Sequence, residues 1–274
     1  MCRLFGLTAG QRRVRASFWL LDAPDSILFQ SYRNPDGTGL GTFDEDGRPR
    51  VEKAPIAAYR DIAFAREARQ RYSSTFLAHL RYGTGAPVAL RNTHPFEMEG
   101  RLCAHNGNVG DLPALREHLG SDLARVRGET DSEHVFALIT RETHRSGGDV
   151  VEGVSRALSW LADNVAVSAV NLIITSAHEM WAVRWPATHD LFFLDNRART
   201  GPMDQRSSHG MRISSTELGV HPSVLVASET LDNSRAWQII HPGELIHVGA
   251  DLTITRTRVI EGPPRWPLAA TTHG

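Results

Sequence analysis

The chain begins with the stretch Met1-Cys2-Arg3-Leu4-Phe5-Gly6-Leu7-Thr8-Ala9, in which a cysteine at the second position is followed by an apolar run. The run is short and is bounded by Gly10, and this pattern predicts a buried strand over residues 2–9. The stretch therefore puts a candidate nucleophile at the very start of a core strand.

Other short apolar runs predict strands toward both ends of the chain. They cover residues 75–81, 102–105, 172–175, 180–185, 191–194, 224–227, 245–248 and 252–254. Residues 37–43 and 50–54 flank the turn signal Asp44-Glu45-Asp46-Gly47, and this pattern predicts a hairpin of two further strands. Helical patterns fill the middle. They follow Asp111, the capping box Thr130-Asp131-Ser132-Glu133 and Val150, and a more polar helix is expected over residues 56–72. Strands before and after a central helical block predict an α+β fold, with two sheets and helices packed outside them.

We expect residues 1–274 to form a single domain, with its core over about residues 2–250. Residues 197–219 are polar and are expected to form a long loop. Residues 251–274 are expected to form a terminal strand and then a flexible tail, which begins at Pro263-Pro264.

Composition excludes several classes of function. The 274 residues carry 30 Lys plus Arg and 31 Asp plus Glu, and this balance argues against a nucleic-acid partner. Two cysteines cannot form a disulfide framework, and the sequence has neither a signal-peptide pattern nor an apolar stretch long enough for a membrane span. Phosphate-loop, H-E-x-x-H and C-x-x-C motifs are absent. We expect a cytoplasmic protein without a membrane partner.

Cys2 owes its chemical interest to its position in the chain. If Met1 is removed, the freed α-amine of Cys2, with a reference pKa of about 7.7–8.0, can act as the residue's own general base. The amine can accept the thiol proton and later donate a proton to a leaving amine. The alternative is that Cys2 is only a small buried hydrophobic residue.

Three polar clusters supply the remaining parts of a site. Arg81 at a strand end can bind a carboxylate through its planar fork of donors, or it can form an ordinary surface ion pair. Asn106 and Gly107, at an expected turn, can form an oxyanion hole or simply a hairpin turn. Asp131 can pair with a substrate ammonium or only with the helix dipole. With Cys2, these residues describe a site for a γ-glutamyl amide, of which glutamine is the simplest.

A second set of residues allows a different chemistry. His79, His94, His105 and Cys103 can be drawn as a metal site, and Cys103 with His105 as a second nucleophile pair. Four ligands at closed spacing are not evident, so we expect no metal and no cofactor. The histidines are expected to support the turn at Asn106, and Cys103 is expected to be a core residue.

In these motifs the sequence resembles the class II glutamine amidotransferases, a family of N-terminal-nucleophile hydrolases. The matching stretches are Met1-Cys2, Arg33-Asn34-Pro35-Asp36-Gly37, residues 79–84, Asn92-Thr93-His94-Pro95-Phe96, Ala104-His105-Asn106-Gly107 and residues 128–133. Residues 227–229, 232–233 and 237–244 look like the stand-alone branch of the family, which includes the γ-glutamyl amide hydrolase of ergothioneine synthesis.

The resemblance implies a four-layer αββα sandwich of two mainly antiparallel sheets. It implies the roles given above for the five site residues and adds Thr84 as a substrate contact. Sugar-aminating members have a Trp in place of Tyr82 and a His in place of Gly85. Many stand-alone relatives have a Pro in place of Thr230, so the loop that faces the leaving group can differ here.

The leading hypothesis is an amidohydrolase that forms a γ-glutamyl thioester on Cys2 and releases glutamate. Few residues follow Val248, too few for a synthase domain, and this favours a larger γ-glutamyl amide as substrate. The alternatives are a glutaminase subunit that delivers ammonia to a separate synthase partner, a catalytically silent binding module, and proton-relay or metal chemistry at His94 and His105.

Overall fold

The computed structural model describes residues 1–83, 85–198, 203–206, 212–215 and 221–269. The strands in these residues are β1 (Arg3–Thr8), β2 (Gly37–Phe43), β3 (Pro49–Ala54), β4 (Thr75–Arg81), β5 (Phe96–Met98), β6 (Arg101–Val109), β7 (Ala166–Thr175), β8 (Met180–Arg184), β9 (Phe192–Asp195), β10 (Met203–Arg206), β11 (Arg212–Ser215), β12 (Val224–Ala227), β13 (Trp237–Ile239), β14 (Glu244–Val248), β15 (Ile254–Arg258) and β16 (Trp266–Pro267). The α-helices are α1 (Ile27–Gln30), α2 (Ile62–Gln70), α3 (Leu112–Leu119), α4 (Asp131–Arg145) and α5 (Val150–Asn164). A π-helical turn covers Phe18–Asp22, and 3-10 turns cover Ala58–Arg60, Leu90–Asn92 and Gly120–Arg125.

The strands form two large sheets and a separate hairpin. The first sheet is antiparallel and has the order β13-β9-β12-β1-β4-β2-β3. The second has the antiparallel order β15-β14-β8-β7-β6-β5, and β16 pairs with β7 in parallel. β10 and β11 pair only with each other among the described strands.

Three apolar clusters hold the layers together. Leu4 of the first sheet and Ile173 of the second belong to the cluster between the two sheets. Phe5, which points to the opposite face of β1, belongs to a cluster that includes Phe64 of α2. The outer face of the second sheet packs against α3, α4 and α5, for example at Leu138. The order of layers is helices, sheet, sheet, helices, and it confirms the predicted αββα sandwich.

β1 is fixed on both of its edges. Phe5 lies opposite Ala78 of β4 on one side and opposite Ala227 of β12 on the other. Near the start of the strand, the backbone N–H of Leu4 donates to Ser228 Oγ at 3.0 Å, and the N–H of Ser228 donates to the Leu4 carbonyl at 3.1 Å. Cys2 therefore lies at the end of a central and well-anchored strand.

Several predicted bounds are wrong. β6 continues to Val109, so Asn106 and Gly107 lie inside a strand and not in a turn. An Asn-Gly pair favours a turn only locally, and here pairing with β7, with a register shift between Asn108 and Val109, carries the strand onward. The expected helix over residues 56–72 consists of a 3-10 turn and the shorter α2. The last predicted strand begins at Ile254 instead of Leu252.

Two segments that we expected to be irregular contain strands. The predicted loop over residues 197–219 contains the β10–β11 hairpin, and its residues 199–202, 207–211 and 216–219 lie outside the described parts of the chain. In the predicted tail, β16 pairs with β7, and the Trp185 indole N–H donates to the Gly262 carbonyl at 2.9 Å.

None of the described helices has the length and apolar character needed to cross a membrane.

Candidate active site

A cavity of about 280 Å³ opens beside the start of β1. Four of the predicted site residues, Cys2, Arg81, Gly107 and Asp131, are among those that line it. A larger open groove of about 720 Å³ lies between α5 and residues 258–265, and its lining contains none of the predicted site residues. The smaller cavity is therefore the candidate active site.

The thiol of Cys2 contacts the chain just after β4. Its Sγ accepts a hydrogen bond from the Tyr82 N–H at 3.3 Å and lies 3.6 Å from the Tyr82 carbonyl oxygen. Burial raises the pKa of the Cys2 thiol, and the hydrogen bond with Tyr82 opposes this only in part. Because burial favours the protonated thiol, nucleophilic chemistry at Cys2 needs a nearby base.

Asn106 and Gly107 bring β6 to the start of β1. Asn106 is buried, and its Nδ2 donates to the carbonyl oxygen of Cys2 at 3.0 Å. Gly107 pairs with Val170 of β7, and a Cβ atom at Gly107 would lie only 1.9 Å from the carbonyl oxygen of Ala169. No side chain fits at residue 107, so the backbone of β6 stays open toward the cavity.

Arg81 is the last residue of β4 and is only 5% exposed. Its Nη1 donates to the Pro87 carbonyl at 2.9 Å, and its Nη2 donates to the Ala86 carbonyl. The surface ion pair considered as an alternative is therefore wrong. A buried guanidinium that lines a cavity and meets carbonyl groups of its own chain is suited to an anionic ligand.

Asp131 is the first residue of α4 and joins this helix to β6. Its Oδ2 accepts from the Val109 N–H at 2.7 Å, and its Oδ1 accepts from the Ser132 N–H at 2.8 Å. The capping box is only partly as predicted: Thr130 Oγ1 accepts from the Glu133 N–H, but the Glu133 carboxylate accepts from the N–H groups of Arg127 and Gly128. Asp131 thus presents a fixed negative charge to the cavity.

The three histidines lie close to this site. The rings of His79 and His94 are 4.1 Å apart, and their four ring nitrogens have no hydrogen-bond partner among the described residues. Burial lowers the pKa of His79 to about 3 and the pKa of His94 well below its usual value. His105 differs, because its Nδ1 lies 2.8 Å from Ser132 Oγ and its Nε2 lies 3.3 Å from the Ala169 carbonyl oxygen.

In the described parts of the chain, no three His, Cys, Asp or Glu side chains are placed to hold a metal ion. Cys103 is 1% exposed in the apolar cluster against α4, and burial raises the pKa of its thiol. A second nucleophile pair of Cys103 and His105 is therefore unfavourable, because Cys103 is a protonated core residue.

Sequence reasoning missed two asparagines, Asn92 at the cavity and Asn34 beside Met1. Asn92 links two loops: its Nδ2 donates to the Pro87 carbonyl at 3.1 Å, and its Oδ1 accepts from the Glu129 N–H at 2.9 Å. Asn34 is buried, and its Nδ2 donates to the Met1 carbonyl. Both lie in stretches that carried the family resemblance, which was the available signal. Thr84 lies outside the described residues.

Solved structures share this fold. The glutamine phosphoribosylpyrophosphate amidotransferase from B. subtilis superposes with a TM-score of 0.67 at 18% identity, over 96% of this chain and 50% of that chain. A glutamine aminotransferase class-II domain protein from Silicibacter pomeroyi superposes with a TM-score of 0.61 at 18% identity, over 93% of this chain and 98% of that chain. At these identities the likeness shows the fold alone, the sandwich of two sheets between helices.

Sequence comparison gives the family. Residues 1–264 match the family model of the class-II glutamine amidotransferases, and the chain therefore belongs to this family. It is 29% identical over 267 residues to the putative glutamine amidotransferase YafJ of Escherichia coli K12, covering 89% of this chain and 96% of that protein. This likeness confirms the predicted stand-alone branch.

Longer relatives match over a shorter segment of the chain. The glutamine–fructose-6-phosphate aminotransferase of Pectobacterium atrosepticum is 30% identical over 131 residues, or 47% of this chain. The chain spans only 21% of the length of that aminotransferase.

Proposed function

We propose that the protein hydrolyses a γ-glutamyl amide, either glutamine or a larger γ-glutamyl amine, through a thioester on Cys2 and releases glutamate. The observation that carries this proposal is that a thiol, a buried guanidinium and a fixed carboxylate (Cys2, Arg81 and Asp131) line one cavity. Membership of the class-II glutamine amidotransferases supports the same chemistry.

Arg81 and Asp131 define how the substrate is held. The buried guanidinium binds the α-carboxylate, and the Asp131 carboxylate binds the α-ammonium, so a zwitterionic amino acid neutralises both protein charges. The resemblance adds Thr84 as a further substrate contact. The γ-amide then extends toward Cys2, where the chemistry takes place.

Catalysis begins with a proton transfer within Cys2. Once Met1 has been removed, the α-amine takes the thiol proton and Sγ forms a bond to the γ-carbonyl carbon. The second N–H of Asn106 Nδ2 and the Gly107 N–H stabilise the resulting oxyanion. The C–N bond then breaks, and the leaving amine takes the proton from the α-ammonium. Water attacks the thioester, releases glutamate and restores the Cys2 thiol.

The identity of the leaving amine separates two versions of this function. A larger γ-glutamyl amide needs no partner, and this version is our first choice. The likeness to glutamine–fructose-6-phosphate aminotransferases supports the second version, in which glutamine is hydrolysed and ammonia passes to a separate synthase. We place the reaction in the cytoplasm because the chain's two cysteines, Cys2 and Cys103, are both free.

Release of glutamate from a panel of glutamine and γ-glutamyl amines tests the proposal. We expect turnover of at least one member by the wild-type protein and none by Cys2→Ala, with intact-mass spectrometry showing loss of Met1. Fast turnover of glutamine alone would exclude the larger substrate. No glutamate release from any member, with Met1 retained, would favour the silent binding module.

A further inference from the structure

The peptide group that joins Met1 to Cys2 is held by side chains from two directions. Asn34 Nδ2 donates to the Met1 carbonyl oxygen. Arg3 Nη1 donates to the same oxygen at 3.0 Å and to the Cys2 carbonyl oxygen at 3.3 Å. The nitrogen of this peptide group is the atom that becomes the α-amine of Cys2 when Met1 is removed.

The side-chain amide of Asn34 makes only part of its possible hydrogen bonds while Met1 is present. The residue is 1% exposed, and its Oδ1 is buried without a hydrogen-bond partner among the described residues. A buried amide oxygen without a partner is unfavourable, and native proteins rarely keep one without a reason. Removal of Met1 also takes away the acceptor of Asn34 Nδ2, so the whole amide loses its partners.

A hydrogen-bond donor for Asn34 Oδ1 lies nearby, in the future α-amine of Cys2. In a peptide group the carbonyl oxygen and the nitrogen are only about 2.3 Å apart, so the Asn34 amide already lies beside the future α-amine. An amine offers N–H donors, and the Asn34 amide needs a donor for Oδ1. A half-turn of this amide places Oδ1 where Nδ2 now meets the Met1 carbonyl.

We propose that Asn34 is a positioning residue for the α-amine of Cys2: after Met1 is removed, Asn34 Oδ1 accepts an N–H of the amine and turns its lone pair toward Cys2 Sγ. The inference rests on the proposed function, because it concerns the base of that reaction. Asn34 has no other role in the proposed mechanism.

The charges around the amine are balanced. Arg3 forms an ion pair with Glu229, and Arg33 lies 3.0 Å from Asp25 and 3.7 Å from Glu229. Arg81 and Asp131 line the same cavity as Cys2. With these charges nearly cancelled, a neutral amide at residue 34 orients the amine without favouring its charged form, whereas a carboxylate there would favour the ammonium.

Asn34 also has local contacts that a purely structural role would explain. Its N–H donates to the Ser31 carbonyl at 3.3 Å, within the turn that leads to Asp36. Asp36 in turn accepts from the Gly83 N–H at 2.8 Å. A structural role predicts loss of stability when the side chain is changed, but it does not predict a change in the pH dependence of the reaction.

The test compares Asn34→Ala and Asn34→Asp with wild type in processed protein, with Met1 removal checked by intact mass. Asn164→Ala, an exposed asparagine at the end of α5, is the matched control. We expect Asn34→Ala to lower kcat about tenfold to a hundredfold with KM within about twofold. We expect Asn34→Asp to move the acid limb of the kcat/KM profile up by about one pH unit, because its carboxylate stabilises the ammonium.

A second readout does not depend on the substrate. The rate at which iodoacetamide alkylates Cys2, measured against pH in a Cys103→Ala background, reports the same amine through the thiol. If wild type turns over no γ-glutamyl amide but Asn34→Asp still shifts the alkylation profile, the proposed function fails and the role of Asn34 stands. Unchanged pH profiles in both assays, or full retention of Met1 in active protein, would overturn the inference.

Discussion

Asn106 Nδ2 lies 3.0 Å from the carbonyl oxygen of Cys2 and donates a hydrogen bond to it. This bond ties β6 of one sheet to the start of β1 in the other, beside the cavity. The amide that we assign to the oxyanion is thus fixed by the residue on which we propose that the thioester forms. Because one N–H of Asn106 is committed to this contact, its other N–H has a defined direction.

Asn106→Ala is expected to lower kcat about 10²–10³-fold, because one oxyanion donor is lost in the transition state. KM should change by less than about threefold, since the substrate's charged groups are held elsewhere. Steady-state kinetics with the best substrate of the panel measures both constants. A variant in which only KM rises would place Asn106 in substrate binding instead.

The two cysteines are expected to respond in opposite ways. Cys2→Ala should abolish turnover, with a loss of at least about 10³-fold, because no other thiol lines the cavity. Cys103→Ala is the matched control and should keep activity within about twofold, since Cys103 is buried in the apolar cluster against α4. Labelling by a glutamine-mimicking electrophile should disappear only in Cys2→Ala. Labelling that persists there would exclude Cys2 as the nucleophile.

Arg81→Lys is expected to raise KM about tenfold to a hundredfold, because an ammonium cannot form the two parallel bonds of a guanidinium to a carboxylate. The contacts of Arg81 with the Ala86 and Pro87 carbonyls should weaken as well. Arg156→Lys, an exposed arginine paired with Glu152 on α5, serves as the control. An unchanged KM in Arg81→Lys would argue against carboxylate binding at this residue.

Gly107→Ala is expected to lower both Tm and activity, because the added Cβ would lie 1.9 Å from the Ala169 carbonyl oxygen and would push β6 away from β7. Gly85→Ala is a useful comparison, since a Cβ there meets nothing within 4 Å. Thermal unfolding of the two variants beside wild type measures the difference. Equal Tm values would show that β6 and β7 can move apart without a loss of thermal stability.

His79 is expected to make the protein sensitive to acid. Its pKa is lowered to about 3 in the folded chain, against about 6.5 when unfolded, so between these pH values only the unfolded chain takes up the proton. The free energy of unfolding should therefore fall as pH falls through this window, by up to about 1.4 kcal/mol per pH unit.

Chemical unfolding between pH 4 and pH 7 measures this slope at about half-unit steps. His79→Leu should make the slope shallower by roughly one proton, since leucine has no proton to take up. His178→Gln changes an exposed histidine and should leave the slope as it is. A His79→Leu slope equal to that of wild type would show that His79 takes up its proton equally in the folded and the unfolded chain.

The sequence predicts those elements whose patterns are local. The strands β2, β4 and β12 have the predicted bounds, because β4 and β12 are short apolar runs and β2 ends at the turn signal that begins with Asp44. β6 and β16 could not be predicted fully. Asn106-Gly107 favours a turn, and Trp266-Pro267 has no strand pattern, and only pairing with β7 makes both of them extended.

For the candidate site, the sequence likewise predicts single residues but not how they are arranged in space. Cys2, Arg81 and Asp131 were accessible from the sequence because their position, strand end and capping motif are local features. Their convergence on one cavity depends on contacts between β1, β4, β6 and α4 that are far apart in the chain. The contacts of Asn34 with Met1 and of Tyr82 with Cys2 Sγ are equally non-local, and no spacing rule points to them.

The position of β1 between β4 and β12 also sets an order of events during synthesis. β1 ends at Thr8, but its second edge is covered only when residues 224–227 have been made. At about 5–20 residues per second, the ribosome needs roughly 10–45 s to make the chain between them. Throughout that interval, Met1 and Cys2 are part of an incompletely synthesised chain. Methionine removal can act then, while the second edge of β1 is still uncovered.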